Sequence, residues 1–272
     1  MADADQPAPQ EGIVATTEFV RHRNVLLSRA RLSDLYLDYY LHLADCGMHV
    51  AEEHDRPFKE MLAAFVLHAV SRPRNELIAW TVNLQDPRLN LFATADNELG
   101  QVVGRVFVDN VKEGAHNLFF CETIRNVRGQ YDTPRRSTVD FDGPDLFAAV
   151  ELFYARSEQR PGRFFDLGDE NFALLSAHPD CDLAWLRTVT LEEVRAIATQ
   201  ETLAPIERRA YRWRCGCSEE RIMKVLATTV RQDPESLFQG EDSIATQCPR
   251  CGVLYRISRK ALEAWAAKHP PK

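Results

Sequence analysis

Four cysteines close to the C-terminus constrain this chain more than any other feature of its sequence. They fall into two pairs, Cys215-x-Cys217 and Cys248-x-x-Cys251, with 30 residues between the pairs. Thiolates are soft ligands, and four of them complete the closed tetrahedral site that is typical of structural zinc. Gly252 follows the second pair and tolerates the positive φ that such a turn requires. The spacing therefore predicts one zinc ion bound by these four cysteines.

The segment around the cysteines is too short to be stabilised by its own core. Below roughly 70–80 residues, a hydrophobic core seldom supports a fold without a disulfide or a metal. Zinc can contribute roughly 10–16 kcal/mol of apparent binding free energy to a small domain. We therefore expect the loss of the metal to unfold the segment from Arg208 to Lys272.

The same cysteines allow three functions. A closed tetrathiolate can be a permanent structural site. It can also be a redox switch, because thiolates are the groups that oxidants attack. The pair Cys248-x-x-Cys251 could alternatively belong to a dithiol oxidoreductase, although no βαβ pattern surrounds it.

Charge and hydropathy exclude other classes of function. The net charge of -7 argues against nucleic-acid binding through bulk electrostatics, although residues 211–272 carry 11 Lys/Arg against 7 Asp/Glu and a nucleic-acid-binding zinc ribbon remains a minor alternative. No apolar run approaches the roughly 18 residues that span a bilayer, and the acidic N-terminus does not resemble a signal peptide. No P-loop, dinucleotide-binding, zinc-protease or serine-hydrolase motif is present. We expect a cytoplasmic protein that is not an enzyme and that binds neither nucleic acid nor membrane.

Apolar periodicity predicts an α+β body in which helices pack on an antiparallel sheet. Helical spacing favours helices from Val25 to about Cys46, from Pro57 onward and over Asp145–Gln159. Period-two patterns predict strands near residues 77–82, 89–95, 102–109, 117–124, 136–141, 164–167 and 172–177. The scattered cysteines Cys46, Cys121 and Cys181 are interpreted as packing residues. His68 and the neighbouring helix histidines are interpreted as structural.

The rest of the chain divides into a linker and the cysteine module. Thr190 and Glu193 form a capping-box pattern that begins a helix. Ser218 is placed to cap a second helix, and a third begins near Pro234. The predicted organisation is a disordered tail (1–15), an α+β body (16–182), a helical linker (183–210) and a small zinc module (211–272).

The cysteine pattern, taken with segments of the body, resembles the heat shock protein 33 family of redox-regulated holdase chaperones. The segment LFAAVELFYARSEQRPGRFF, residues 146–165, is similar to a helix end of that family, and its most specific part is Arg156 to Gln159. Thr81 to Gln85 and Gly104 to Val106 lie where the family has strands. The stretch between Cys181 and Cys215 is shorter than the family's linker.

This resemblance implies an ATP-independent chaperone that binds unfolding client proteins under oxidative stress. It implies that the reduced, zinc-bound protein is inactive, and that the disulfides Cys215–Cys217 and Cys248–Cys251 form as zinc leaves, with unfolding of the linker and dimerisation in the active state. If so, client-binding surface lies beneath the apolar side of the linker, which amphipathic spacing places at Leu191, Val194, Ile197, Leu203 and Ile206. The shorter linker keeps open an alternative, a zinc-stapled chaperone or adaptor without redox control.

Overall fold

The protein is described by a computed structural model over residues 12–270. It contains two compact units that adjoin in the sequence between Arg214 and Cys215. We call the first unit the body and the second unit the module.

The body consists of eleven strands and six helices within the described residues. The strands are β1 (Ile13–Val20), β2 (Val25–Arg31), β3 (Glu76–Gln85), β4 (Arg88–Asp96), β5 (Gln101–Phe107), β6 (Asn117–Val127), β7 (Gln130–Tyr131), β8 (Arg135–Phe141), β9 (Gly162–Gly168), β10 (Asn171–Ala177) and β11 (Leu203–Trp213). The helices are α1 (Ser33–Asp45), α2 (Glu52–Val70), α3 (Leu146–Arg156), α4 (Leu183–Thr188), α5 (Leu191–Arg195) and α6 (Ile197–Gln200).

All eleven strands lie in one sheet, with the order β7-β6-β3-β4-β5-β11-β1-β2-β10-β9 and with β8 also paired to β6. Neighbouring strands are antiparallel except β11 and β5, which pair in parallel through Arg212 with Gln101 and Trp213 with Val102. On its other side β11 pairs along most of its length with β1. Strand β11 therefore joins the two halves of the sheet.

Each face of the sheet supports its own apolar core, because successive side chains of a strand point to opposite faces. On β10, Phe172 and Leu174 belong to the main core with α1, α2 and α3. Ala173 and Leu175 point the other way, into a second core formed with α4, α5 and α6. We call these three short helices the cover.

The module has a small core of its own. It contains α7 (Glu219–Gln232), α8 (Pro234–Phe238), the hairpin strands β12 (Ser243–Gln247) and β13 (Leu254–Ser258), and α9 (Arg259–Lys268). The side chains of Ser218, Asp233 and Ser258 cap the three helices, as the sequence predicts for the first of them. Six buried residues form the centre of this core: Ala227, Val230, Phe238, Ile257, Leu262 and Ala266.

The α+β prediction, with a sheet-based body and a C-terminal cysteine cluster, is confirmed. Several element boundaries differ. The predicted helix from Val25 is a strand as far as Arg31, because this segment pairs with β1 on one side and β10 on the other. Most of the predicted tail lies outside the described residues, and its last part, from Ile13, belongs to β1. Helix α2 begins at Glu52, five residues before the predicted Pro57.

The largest difference concerns the predicted helical linker. Helices occupy its first part, and Thr190 and Glu193 form the predicted capping box at the start of α5. Its last part, from Leu203, is strand β11 rather than helix, because the gap between β1 and β5 in the sheet takes an extended segment. Among the described residues, no helix has the length and apolarity needed to cross a membrane.

Candidate metal centre and the covered face

Two tight turns bring the four predicted cysteines together. Cys215 and Cys217 flank Gly216, which has a φ of +67°. The side chain of Arg221, on α7, donates to the carbonyl oxygen of Gly216 at 2.6 Å and so holds this turn against the helix. The intervening glycine matters because residues with a Cβ rarely adopt this backbone conformation.

The second turn has the backbone of a metal-binding knuckle. The amide of Cys248 donates to the carbonyl of Val253 at 2.8 Å, and the amide of Gly252 donates to the carbonyl of Cys248 at 2.9 Å. Gly252 has a φ of +82°. These hydrogen bonds form a tight turn, from which the sulfurs of Cys248 and Cys251 point towards the first turn.

The sulfurs form one cluster whose size suits a metal ion. All four Sγ atoms lie within 4.8 Å of one another. Cys215 and Cys248 are 3.6 Å apart, and Cys217 and Cys251 are 3.5 Å apart. In a tetrahedral zinc site with Zn–S bonds of about 2.3 Å, the sulfurs are about 3.8 Å apart. The donor set and its dimensions therefore fit zinc.

The electrostatics of the cluster also favour a cation at its centre. A hydrogen bond with Cys251, together with burial, raises the pKa of the Cys215 thiol, and Arg250 opposes this increase. Burial raises the pKa of Cys217 as well. Thiols this close resist ionisation unless a positive charge compensates them, and zinc is the ion that binds four thiolates in this way.

Solvent reaches the four sulfur ligands unequally. Cys248 and Cys251 are 2% and 1% exposed, whereas Cys215 and Cys217 are half-buried. Tyr255, on β13, donates its hydroxyl to Sγ of Cys217 at 3.0 Å. The sequence analysis did not identify this contact; its one signal is a tyrosine four residues after Cys251, on the strand that leaves the knuckle.

The cysteines outside the cluster have separate surroundings. Cys121 is buried in the main core, Cys181 packs beside the second core, and Sγ of Cys46 lies 3.7 Å from Nε2 of His42. None of the three belongs to the metal-binding group found among residues 12–270, whose members are the four predicted cysteines.

The predicted linker residues do not all lie in one contact. Val194 and Ile197 are each 1% exposed in the second core, and Leu191 and Leu203 pack at its margin. Ile206 is 58% exposed and does not take part. It lies at a β-bulge, where the pairing of β11 with β1 shifts by one residue, and a bulge redirects the side chain of the extra residue.

Polar contacts attach the two ends of the cover to the rest of the body. Arg23, in the turn between β1 and β2, bonds to Asp182 before α4 and to Glu201 after α6, each at 2.8 Å. Its guanidinium also lies 5.2 Å from the ring of Trp185. Partly exposed ion pairs contribute little stability, typically below about 1 kcal/mol each. The attachment of the cover therefore depends mainly on its apolar side.

Comparison with known proteins shows which family this chain resembles. The family model described as "Hsp33 protein" matches residues 173–258, from β10 through the cysteines to β13. A 33 kDa chaperonin of Nitrosococcus oceani is 27% identical over 158 residues, which span 50% of this chain and 55% of that protein, about half its length. A 33 kDa chaperonin of Ectopseudomonas mendocina is 25% identical over 254 residues, 78% of this chain and 85% of the relative.

The fold has a solved counterpart. The crystal structure of the 33 kDa chaperonin (heat shock protein 33 homolog) of Thermotoga maritima superposes with a TM-score of 0.66 and covers 94% of this chain and 98% of its own. Its sequence identity is 15%, so it shows a shared fold. The curated relatives are named as chaperonins and not as enzymes, in agreement with the sequence analysis.

Proposed function

Because this chain belongs to the Hsp33 family of chaperones, we propose that it is a redox-regulated, ATP-independent holdase of the cytoplasm. The reduced protein holds one zinc ion through Cys215, Cys217, Cys248 and Cys251 and is inactive. Oxidation removes the zinc and unfolds the module, and the surface that binds unfolding proteins becomes accessible when the three helices of the cover also open. The observation that carries the proposal is the cluster of four sulfurs, which stabilises a module too small to depend on its own core.

The proposed switch uses two molecules of peroxide. In each step, one thiolate attacks peroxide, an S–O bond forms, the O–O bond breaks, and the hydroxide released takes up a proton to become water. A second thiolate then attacks the sulfenic sulfur, so that an S–S bond forms and a second hydroxide leaves as water. Two thiolates lose two electrons to each peroxide. A disulfide sulfur is a poor zinc ligand, so the ion is released.

We propose the pairing Cys215–Cys217 and Cys248–Cys251, within each turn. In the structure, sulfur contacts of 3.6 Å and 3.5 Å run between the turns instead, from Cys215 to Cys248 and from Cys217 to Cys251. Peptide mapping of the oxidised protein under non-reducing conditions distinguishes these pairings. Cross-links between the turns would contradict the pairing but leave the switch intact.

The face of the sheet beneath the cover is the proposed client-binding surface. It is continuous and apolar, and it includes Val20, Val25, Leu27, Phe165, Ala173 and Leu175. The side chains of Val194 and Ile197 fill it in the folded protein. A large exposed apolar patch of this kind binds other apolar surfaces, and exposed apolar segments are what unfolding proteins present.

Light scattering of a thermally unfolding client tests the function. We expect reduced, zinc-loaded protein to leave aggregation unchanged and peroxide-treated protein to suppress it, with reversal by a thiol reductant. Cys46→Ser is the matched control, since it removes a cysteine outside the cluster and should respond as the wild type does. Equal protection in both states would eliminate the switch, and protection in neither state would eliminate the chaperone. Size-exclusion chromatography of the oxidised form tests the proposed dimer.

One observation favours a second candidate, a zinc-stapled chaperone or adaptor without redox control. Cys248 and Cys251 are almost completely shielded from solvent, and oxidants attack accessible thiolates fastest. A chromogenic zinc chelator, present during peroxide exposure, separates the two candidates. Retention of zinc by a protein that protects clients equally before and after peroxide would favour the second.

A further inference from the structure

Within the described residues, β9 is the last strand at one end of the sheet and pairs with β10 alone. In an antiparallel pair, residues alternate between those that bond across the pair and those whose amide and carbonyl point away from it. The amide of Phe164 donates to the side chain of Glu151, so Phe164 is of the second kind. By the same alternation, the backbone groups of Gly162 and Asp166 also point away from β10. The outer edge of β9 is therefore a row of outward donors and acceptors.

Two side chains contact this edge where the backbone of a further strand would lie. Glu151, on α3, accepts from the amide of Phe164 at 2.9 Å. Arg195, on α5 of the cover, donates to the carbonyl oxygen of Leu167 from Nη2 at 2.9 Å and from Nε at 3.2 Å. An acceptor for an amide and a donor for a carbonyl are what a neighbouring strand supplies. A backbone segment could therefore replace both side chains without leaving the groups of β9 unpaired.

The cover lies along the same strand, so its opening changes the edge. Arg163, on β9, donates to the carbonyl oxygen of Arg187 in the last turn of α4 at 3.0 Å. When the cover opens, this bond breaks and the departure of Arg195 frees the carbonyl of Leu167. The ring of Phe165, which belongs to the second core, is uncovered at the same time. Apolar surface and a free strand edge therefore become accessible side by side.

We propose that β9 binds an extended segment of an unfolding protein as an additional strand once the cover has opened, an inference that rests on the proposed function. The outward backbone groups of β9 pair with the amides and carbonyls of an extended chain, which every sequence has. Phe165 joins this edge to the proposed client-binding surface, which favours apolar side chains at alternate positions of the bound segment. A folded protein has already paired its backbone groups. The edge therefore selects unfolded chains without reading their sequence.

The test compares two short fluorescent peptides by anisotropy. Both alternate valine and threonine between terminal lysines, and the second is N-methylated at its central amides on both edges. The oxidised full-length protein, heated until the amides of the cover exchange freely, should bind the methylated peptide at least about tenfold more weakly, because several backbone hydrogen bonds are lost. Methylation also makes the peptide more apolar, so capture by an apolar face alone predicts equal or tighter binding. That result would overturn the proposal.

A matched pair of variants tests the edge from the side of the protein. Asp166 is exposed and its amide points away from β10, so Asp166→Pro removes an outward donor and keeps the pairing with β10. Both Asp166→Pro and Asp166→Ala lose the carboxylate that accepts from the amide of Gly168. Relative to Asp166→Ala, the proline variant should bind the unmethylated peptide roughly three- to tenfold more weakly. Equal affinities would contradict the proposal, and the two peptides on the wild type decide it if the proline variant does not fold.

Two further measurements separate this proposal from the redox function. Ile197→Ala loosens the cover without oxidant, so the reduced variant should also prefer the unmethylated peptide, whereas the reduced wild type should bind neither. Equally tight binding by the reduced wild type would contradict the role of the cover. Peptide binding that weakens as the protein concentration rises would show that the edge pairs with a second copy instead, which also overturns the proposal. Client protection is measured separately by light scattering: protection without preference between the peptides contradicts the edge alone, and preference without protection contradicts the chaperone alone.

Discussion

The cover and strand β11 are consecutive in the chain, yet they are attached to the body in different ways. The cover consists of three short helices on one face of the sheet, held by a small apolar contact and the ion pairs of Arg23. Strand β11 is hydrogen-bonded on both edges, to β1 and β5. The cover can therefore open without breaking the sheet, whereas removal of β11 would divide the sheet in two.

Buried polar groups increase this difference. Arg209, on β11, has a side chain that is 4% exposed. It donates to the carbonyl oxygens of Ala69 and Arg72, at the C-terminal end of α2, and to the hydroxyl of Tyr211. Tyr211 in turn donates to Asn97 at 2.8 Å. A cation at a helix C-terminus is favourable, and this network fixes β11 to the body.

If the proposed function is correct, oxidant and heat act on different parts of the molecule, the module and the cover. The module begins two residues after β11 ends, and under the proposed function it is the part that depends on zinc and responds to oxidant. The cover precedes β11 in the sequence and is held mainly by apolar contact, so we expect it to be the part that opens on heating. Because the firmly attached β11 separates the module from the cover in the chain, we expect that oxidant alone does not open the cover. We therefore expect full chaperone activity to require both triggers.

The largest expected effect is that of zinc removal. Chelation of the reduced protein, or Cys251→Ser, should abolish amide-exchange protection throughout residues 215–270, because roughly 10–16 kcal/mol of apparent binding free energy is lost. Amides of β11 and the body should remain protected. Cys46→Ser, which leaves the cluster intact, is the control. If amides of β11 exchanged as fast as those of the module, β11 would unfold together with the module. That result would contradict the conclusion that β11 is fixed to the body.

The second prediction concerns the network of Arg209. Arg209→Met keeps much of the side-chain volume but leaves the carbonyls of Ala69 and Arg72 without this donor, and breaking a buried polar network of this kind costs roughly 3–5 kcal/mol. Urea denaturation, monitored at the body, should show this loss. Arg208→Met alters the exposed neighbour on the same strand and should change stability by less than about 0.5 kcal/mol. Similar losses in both variants would show that β11 is held by backbone pairing alone.

Local signals in the sequence identified most of the elements that begin with a cap or end at a turn. Thr190, Ser218 and Asp233 all cap helices, because their hydroxyl and carboxylate oxygens accept from the first free amides wherever the helix lies in the fold. The four cysteines were likewise predictable as a group, since each turn is built within a few residues. These features depend on near neighbours in the chain.

Features that depend on distant partners could not be predicted. In the stretch from Leu203 to Trp213, Pro205 and four charged residues interrupt the apolar alternation that would indicate a strand. It is a strand because its backbone pairs with β1 and β5, and Arg209 adds acceptors that lie about 140 residues away in the sequence. The contact of Tyr255 with Cys217 crosses 38 residues. By contrast, β1 could have been found, since Ile13–Val20 is rich in β-branched residues.

The third prediction weakens the cover alone. Ile197→Ala removes a buried side chain from the second core, and such truncations cost roughly 2–5 kcal/mol. Because the cover can open by itself, amide exchange over residues 183–200 should accelerate by at least about thirtyfold, as 2 kcal/mol implies, while β11 is unchanged. Gln200→Ala, at an exposed position of the same helix, is the control. The reduced variant should also protect clients at lower temperature; acceleration that extended equally to β11 would show that cover and strand open together.

The smallest predicted effect is a dependence of stability on pH that the main core of the body should show and the cover should not. His68, on α2, is fully buried between Trp80 and Phe153, and its Nδ1 lies 2.9 Å from the Tyr154 hydroxyl. Burial, and then the charges of Arg72 and Arg160, lower its pKa well below the ordinary 6.5. Below pH 6.5 the unfolded chain therefore binds a proton that the folded chain does not. As a result, the free energy of unfolding decreases as the pH is lowered.

The slope from this histidine should be up to about 1.4 kcal/mol per pH unit below 6.5, with no contribution above it. His68→Gln retains a polar partner for Tyr154 but does not titrate, so its unfolding free energy should lose this slope between pH 5 and about 6.5. Urea melts of both proteins at several pH values measure the difference. The cover opens without exposing α2, so the rate of amide exchange in the cover should not depend on the titration of His68. A cover whose opening followed the titration of His68 would show that it unfolds only with the body, and the distinction from β11 would be lost.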